Sequence, residues 1–423
     1  MTVFLLIVLV VVLLALRQNV VLILAVVAAA VHTFFVSRSA IEFLIQDIWF
    51  SVDRETLLAI PMFILAGAVM TRGSIARRII DLVIALTRPV RGGLGLAGIL
   101  SCGAFAAISG SSVVTMLAVG AIMYPALLSE GYDKKVALGS MTAGGTLGII
   151  IPPSIPLLLY GMSTDTSVVD LFVAGVGPGL LLIVVMAAYV LWKSRHLSPR
   201  QLDLAEVRGA LRRGGWAIMM PVILLGGIYS GRFTPTEAAA VSLLYALIVE
   251  LFIHREMNVR DYGTVALATV IMSGIITPIF AFASSLNNVI AIEGYPQALT
   301  AFVKQYIHSG WGMMLTINII LLFVGCIMES FSAIVIFAPL FLPLVTGYGF
   351  DPVHFGIVMI VNLEIGYLTP PVGLNIIVGS VAFKEPFRLM VSAVIPYIAL
   401  MMGALAVISA VPQISLWLVR VLH

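Results

Sequence analysis

The stretch Gly144-Gly145-Thr146-Leu147-Gly148-Ile149-Ile150-Ile151-Pro152-Pro153 interrupts an apolar run, 136–162, that is long enough to cross a bilayer. Two successive prolines remove two amide donors and disfavour helix at the residue before each. Carbonyls upstream, around Gly148 to Ile151, therefore lose their helical partners. In hydrocarbon such a break survives only inside protein or beside a wet cavity. The same arrangement returns as Gly366-Tyr367-Leu368-Thr369-Pro370-Pro371-Val372-Gly373-Leu374-Asn375. Two symmetric breaks point to a site rather than to packing kinks, and freed carbonyls make good ligands for a hard monovalent cation, Na⁺ above all.

Working outward, the two breaks belong to a longer repeat. An offset of 218 residues (330 − 112) superposes Ser112 on Ser330, Pro125 on Pro343, Gly131 on Gly349, Asp133 on Asp351, Gly148 on Gly366, and Pro152-Pro153 on Pro370-Pro371. These residues mostly shape backbone, so what repeats is a backbone path. Upstream, Ile60-Pro61-Met62-Phe63 resembles Thr277-Pro278-Ile279-Phe280. About 40 residues before each Pro-Pro lies a cluster suited to a hairpin tip. The first reads Ser109-Gly110-Ser111-Ser112, with small residues, hydroxyls and a helix start whose amides and dipole face an anion. The second reads Met328-Glu329-Ser330-Phe331-Ser332.

Composition places this path in a membrane. Of 423 residues, 61% are hydrophobic and 10% charged, against about 25% charge in a soluble domain. At roughly 20 residues per span, the chain holds about ten to twelve crossings. No polar stretch is long enough for a separate soluble domain. The net charge of +3 gives no reason to expect a nucleic-acid partner, and the absence of a Gly-x-x-x-x-Gly-Lys loop gives none to expect a nucleotide. Cys102 and Cys326 read as packing residues. The first apolar run, 2–16, lacks a basic start and a cleavage site, and a second run, 20–36, follows directly, so it reads as a retained short span.

Basic residues orient the chain. The segments 72–91 and 193–213 are the strongest cytoplasmic anchors, and an even number of crossings must separate them. A re-entrant hairpin at 94–128, a broken span at 136–162 and one ordinary span satisfy that parity. The expected fold is thus an all-α polytopic membrane protein of two inverted-topology repeats, each with about five crossings, one re-entrant hairpin and one Pro-Pro-broken helix. The first repeat covers 1–192, a cytoplasmic linker 193–213, and the second repeat 214–423 with its hairpin at 312–350 and broken helix at 353–383. Both termini fall outside. Eighteen of the 23 positive residues are then cytoplasmic; Arg38, Arg54, Arg232, Lys304 and Arg420 are not.

Among other intramembrane polar groups, Glu329 and Glu364 are the costliest to bury. Each reads as a cation ligand, a proton carrier or a partner for a helix amide. Asn375, just after the second break, is placed to hydrogen-bond substrate. The histidines form no ligand set. An intramembrane enzyme is disfavoured, because neither Gly-x-Ser-x-Gly nor Gly-x-Gly-Asp occurs. A passive channel is disfavoured for want of charged rings or a filter loop.

The motifs Pro61-Met62-Phe63-Ile64-Leu65-Ala66-Gly67, Ser109-Gly110-Ser111-Ser112, Gly145-Thr146-Leu147-Gly148-Ile149-Ile150-Ile151-Pro152-Pro153-Ser154, Phe233-Thr234-Pro235-Thr236-Glu237-Ala238-Ala239 and Thr369-Pro370-Pro371-Val372-Gly373-Leu374-Asn375 carry a resemblance. Over nearly its whole length the chain resembles the large membrane subunit of the tripartite ATP-independent periplasmic (TRAP) transporters, within the ion transporter superfamily. The resemblance implies an elevator mechanism, a small membrane subunit, a separate periplasmic substrate-binding protein that delivers an organic acid, and a bacterial or archaeal cytoplasmic membrane. Carried over, one Na⁺ site uses Ser109, Ser111, Gly148, Ile151 and Pro153, and the other Glu329, Gly366, Thr369 and Val372. Substrate contacts are expected at Ser111, Ser112, Thr115, Ser154, Ser330 and Asn375. The leading expectation is Na⁺-driven import of a small carboxylate; the alternative is a stand-alone Na⁺- or H⁺-coupled transporter of the same superfamily.

Overall fold

A computed structural model describes residues 2–35 and 41–422, among which there are twenty α-helices and no strand. Arg38, placed outside the membrane by the sequence, lies outside the described residues. The first unit opens with α1 (Thr2–Ala15) and α2 (Val20–Ala30), the latter started by Asn19, whose side chain accepts the Leu22 N–H at 2.8 Å. A π-helical turn, Val31–Phe35, extends α2. Next come α3 (Ile41–Val52), α4 (Ala59–Arg72) and α5 (Ile75–Thr87).

Helices α6 (Gly93–Ser109) and α7 (Ser112–Ser129) reverse at Gly110, whose φ of +58° is the left-handed conformation that glycine adopts at least cost. The hairpin returns to its own level. Tyr132, just past α7, accepts the Gly95 N–H at the start of α6 through its hydroxyl, at 2.9 Å. After Asp133, which accepts the N–H groups of Lys135 and Val136, α8 (Lys134–Gly145) runs into a short 3₁₀ turn, Thr146–Ile149. The chain resumes as α9 (Ile155–Thr164) and α10 (Val168–Lys193).

The second unit comprises α11 (Leu204–Tyr229), α12 (Pro235–Ile248) with a π-helical extension Val249–His254, α13 (Val259–Ile292), α14 (Tyr295–Tyr306), the hairpin α15 (Gly310–Ile327) and α16 (Ser330–Gly347), the broken pair α17 (Pro352–Tyr367) and α18 (Leu374–Ala382), and α19 (Phe387–Ala410). Helix α20 (Gln413–Leu422) follows.

Helix boundaries recur at the 218-residue offset. Adding 218 to the bounds of α7 gives those of α16, and α10 maps to within one residue of α19 at each end. Helices α3 and α4 together map onto the single long α13. At 1.5 Å per residue its 34 residues span about 51 Å, more than a hydrocarbon core of about 30 Å. Both Pro-Pro peptide bonds are cis. Among the described residues nine helices are long and apolar enough to cross a membrane, five of them in or flanking the hairpins and broken pairs: Ser112–Ser129, Val168–Lys193, Gly310–Ile327, Ser330–Gly347 and Phe387–Ala410.

Two features depart from a loop-and-span reading. The arginine-rich segment 72–91 contains the amphipathic helix α5, with Ile75, Ile79, Ile80 and Leu82 buried, packed on α11. The linker 193–213 is helical from Leu204, because Asp203 accepts the N–H groups of Ala205 and Glu206. In the packing, α4 lies on α12 and α5 on α11. The hairpins cross over to the other unit: α7 touches α18, and α16 touches α9.

At the base of the first hairpin, Tyr124 donates its hydroxyl proton to Glu385 at 2.8 Å, and Lys134 pairs with the same carboxylate at 2.7 Å. The Lys134 ammonium foremost, and then the Tyr124 hydroxyl, hold the Glu385 carboxyl below the usual carboxylate range. A depressed carboxyl stabilises the fold above its unfolded value of about 4.3 and loses that contribution as pH falls through the folded value. Glu385→Gln is therefore expected to lower the apparent melting temperature at pH 7, with the gap to wild type closing on acidification below about pH 4. The partial exposure of Lys134 keeps the effect small.

Candidate functional site

Proline geometry decides which carbonyls are free at the first break. Pro152 and Pro153 have no N–H, so the carbonyls four residues earlier, Gly148 and Ile149, receive no helical bond. Ile149 is compensated: the Ser154 hydroxyl donates to its carbonyl at 2.5 Å. Ile151, the other candidate donor to Gly148, gives its N–H to Leu147 at 3.0 Å. The Gly148 carbonyl is left for another ligand.

The first hairpin tip closes on this break. A Cβ on Gly148 would lie 2.5 Å from the Thr115 hydroxyl and hard against the Ser111 carbonyl, and one on Gly110 would lie 3.1 Å from the Pro153 carbonyl. Ser109 and Thr115 share a hydrogen bond of 2.6 Å between hydroxyls. Ser109, Ser111, Gly148 and Pro153 are thus brought together, with Thr115 added to their oxygens. Ile151 flanks them with its side chain turned toward Gly179 and Gly103. Thr115, expected as a substrate contact, sits fully buried within this oxygen cluster. Ser154, expected in the same role, is committed to the backbone, donating to Ile149 and accepting the Leu157 N–H.

The second tip and break differ. Glu329 caps α16, accepting the Ser332 N–H at 3.4 Å. Ser330 donates its N–H to the Tyr367 hydroxyl at 2.7 Å, while its own hydroxyl has no partner among the described residues. Gly366 lies against the backbone of Gly325, and its carbonyl accepts the Thr369 N–H at 2.9 Å. Thr369 donates its hydroxyl to Ile365 and lies against the Cys326 thiol. Cys326, read as a packing residue, therefore borders the second break; only the fold could place it there. Pro370 to Val372 are exposed, Val372 to 40%, whereas Pro152 and Pro153 are buried.

Within the site, a side-chain hydrogen bond joins the two halves. Asn375 donates through Nδ2 to the Ser112 hydroxyl at 2.7 Å, and both residues are buried. Ser112 also sits beside the Glu364 carboxylate, without reaching hydrogen-bond distance: both Glu364 oxygens lack a hydrogen-bonding partner among the described residues. Glu364 is entirely buried. Backbone carbonyls and hydroxyls make up the donor set, and among the described residues no three His, Cys, Asp or Glu converge. Such oxygens suit an alkali cation better than a transition metal.

The family model described as "Tripartite ATP-independent periplasmic transporter, DctM component" matches residues 7–414. The chain is 42% identical, over 368 residues and 86% of each protein, to the C4-dicarboxylate TRAP transporter large permease protein DctM of Pseudomonas aeruginosa. It is 38% identical over 381 residues to the isethionate TRAP transporter permease protein DctMQ of Oleidesulfovibrio alaskensis, covering 89% of this chain and 60% of that one. A solved structure of similar fold is the YdaH transporter of Alcanivorax borkumensis, at TM-score 0.65 and 13% identity, covering 92% of this chain and 96% of that one.

Proposed function

The chain belongs to the DctM-component family of tripartite ATP-independent periplasmic transporters, a multi-pass inner-membrane transport subunit and not an enzyme, and from that premise we propose that it imports a small organic acid by symport with Na⁺. A large permease of this kind works with a small membrane subunit and a periplasmic binding protein. The relatives carry names for C4-dicarboxylates and for isethionate. These share small size and a fully ionised acid group, which is the substrate class proposed for this chain.

The observation that carries the reading is that each hairpin tip closes on its own helix break, while Ser112 of the first tip is hydrogen-bonded to Asn375 beyond the second break. Oxygens freed at the breaks suit Na⁺, and the helix starts at Ser112 and Ser330 direct amides and dipoles toward an anion. Ser111, Ser112, Ser330 and Asn375 are the substrate contacts of this proposal. The hairpins and broken pairs, α6–α9 and α15–α18, move as a block against a scaffold built from α4, α5 and α11–α13. Inverted orientation of the two units, with both termini outside, relates the inward and outward states by an exchange of the conformations of the two units about a pseudo-two-fold axis.

Uptake of a labelled organic-acid panel into proteoliposomes tests this, using the chain with its small subunit, with and without binding protein, under separate Na⁺ and H⁺ gradients. Na⁺-driven uptake that needs the binding protein is the expected result. Full-rate uptake of free substrate without it, or uptake driven by H⁺ alone, would favour the stand-alone transporter.

A further inference from the structure

We propose that the buried Ser112–Asn375 hydrogen bond, with the Glu364 carboxylate beside it, forms a polar brace that couples the two helix breaks, so that the two cation sites fill cooperatively. The inference rests on the Na⁺ reading above and concerns how the two sites communicate.

The brace begins at the first break. Ser112 is the first residue of α7 and directly follows Ser111, whose carbonyl abuts Gly148. Its own carbonyl lies 3.0 Å from where a Cβ of Gly145 would be. Ordering of the Gly148 region by a bound cation therefore fixes the position of Ser112. From there the brace reaches the far arm of the second break and faces the near one. Asn375 is the second residue of α18, just beyond Val372, and donates to Ser112 at 2.7 Å. Glu364 sits near the end of α17, two residues before Gly366. With its oxygen accepting from Asn375, the Ser112 hydroxyl retains a proton that can point toward Glu364. Gly366, Thr369 and Val372 lie between Glu364 and Asn375 in the chain, on the stretch whose far end Ser112 holds. A shift of Ser112 thus moves the frame of the second site.

The contacts are buried, where hydrogen bonds are stronger and an unmade one is costly. A first cation that orders this frame leaves less ordering for the second, which is positive cooperativity without any large movement. The brace is made once. At the 218-residue offset the counterparts of Asn375 and Glu364 are Leu157 and Thr146. Leucine has no donor, and the Ser330 hydroxyl that would receive it has no partner among the described residues.

Na⁺ binding to the purified complex with its small subunit, measured without substrate by calorimetry and by Na⁺-dependent thermal shift, tests the brace. Substrate contacts play no part in that readout. Wild type is expected to give a Hill coefficient clearly above 1. Ser112→Ala and Asn375→Leu, the latter placing at 375 the residue found at 157, are expected to bring it to about 1 and to weaken the apparent affinity several-fold. Ser112→Thr, which keeps the hydroxyl, is expected to restore cooperativity, and gel filtration checks that each variant is monodisperse. Non-cooperative Na⁺ binding by wild type, or cooperativity unchanged in both variants, overturns the brace while leaving Na⁺ coupling standing. No Na⁺ response in wild type overturns both.

Discussion

Gly366→Ala is expected to lower Na⁺-driven uptake by about 100-fold or more, the scale on which a displacement of about 1 Å at a site removes activity. The added methyl would lie 2.6 Å from the Gly325 Cα and 2.7 Å from its carbonyl oxygen. Those are backbone atoms of α15, so no side chain can swing aside, and the first arm of the hairpin must move off α17. Gly148→Ala meets the same obstacle from the Ser111 carbonyl and the Thr115 hydroxyl. Enlarging Ser111 pushes on that contact from the other side. The assay is initial uptake in proteoliposomes reconstituted with protein shown to be monodisperse. Rates within about twofold of wild type in well-folded Gly148 and Gly366 variants would refute the site, because the breaks would then tolerate displacement of the very atoms assigned to hold the ion.

The backbone path was legible because glycine and proline act locally. Pro152-Pro153 and Pro370-Pro371 dictate breaks wherever the rest of the chain goes, and helix is interrupted at both, between α8 and α9 and between α17 and α18. Side-chain partners were not legible, because they are set across long separations. Nothing near Ser112 in sequence points to Asn375, 263 residues away. Ser154 looked like a free hydroxyl beside a break, yet the break itself creates the orphan carbonyl, at Ile149, that captures it. The segment 72–91 read as an anchor because its arginines dominate the composition. Its apolar residues fall at helical spacing and are buried against α11, so the charge pattern concealed an amphipathic helix.

Glu250 shows what such a concealed element requires. Helix α5 joins α4 to the first arm of the first hairpin, and its N-terminus is buried, where unmet N–H groups are costly. The sequence offers no local cap that reaches them: Ser74 makes no side-chain bond to the helix start. The acceptor comes instead from the π-helical extension of α12, whose Glu250 takes the Ser74 and Ile75 N–H groups at 2.8 Å each and the Ser74 hydroxyl at 3.3 Å. Gly73 leaves room for that carboxylate. His254 and Arg78 hold the Ser74 hydroxyl from either side, at 2.9 and 3.0 Å. Glu250→Ala leaves two buried amides without an acceptor, at about 1–3 kcal/mol each, so a destabilisation of roughly 2–6 kcal/mol is expected. Glu250→Gln keeps an oxygen in place and loses only the charge facing the helix N-terminus, about 1 kcal/mol. Thermal unfolding of the purified protein should therefore rank wild type above the glutamine variant and both well above alanine. Equal losses in the two variants would mean that the charge, and not the acceptor, fixes α5. Because α5 sets where the base of the hairpin sits, the alanine variant should also transport more slowly than its remaining folded fraction accounts for.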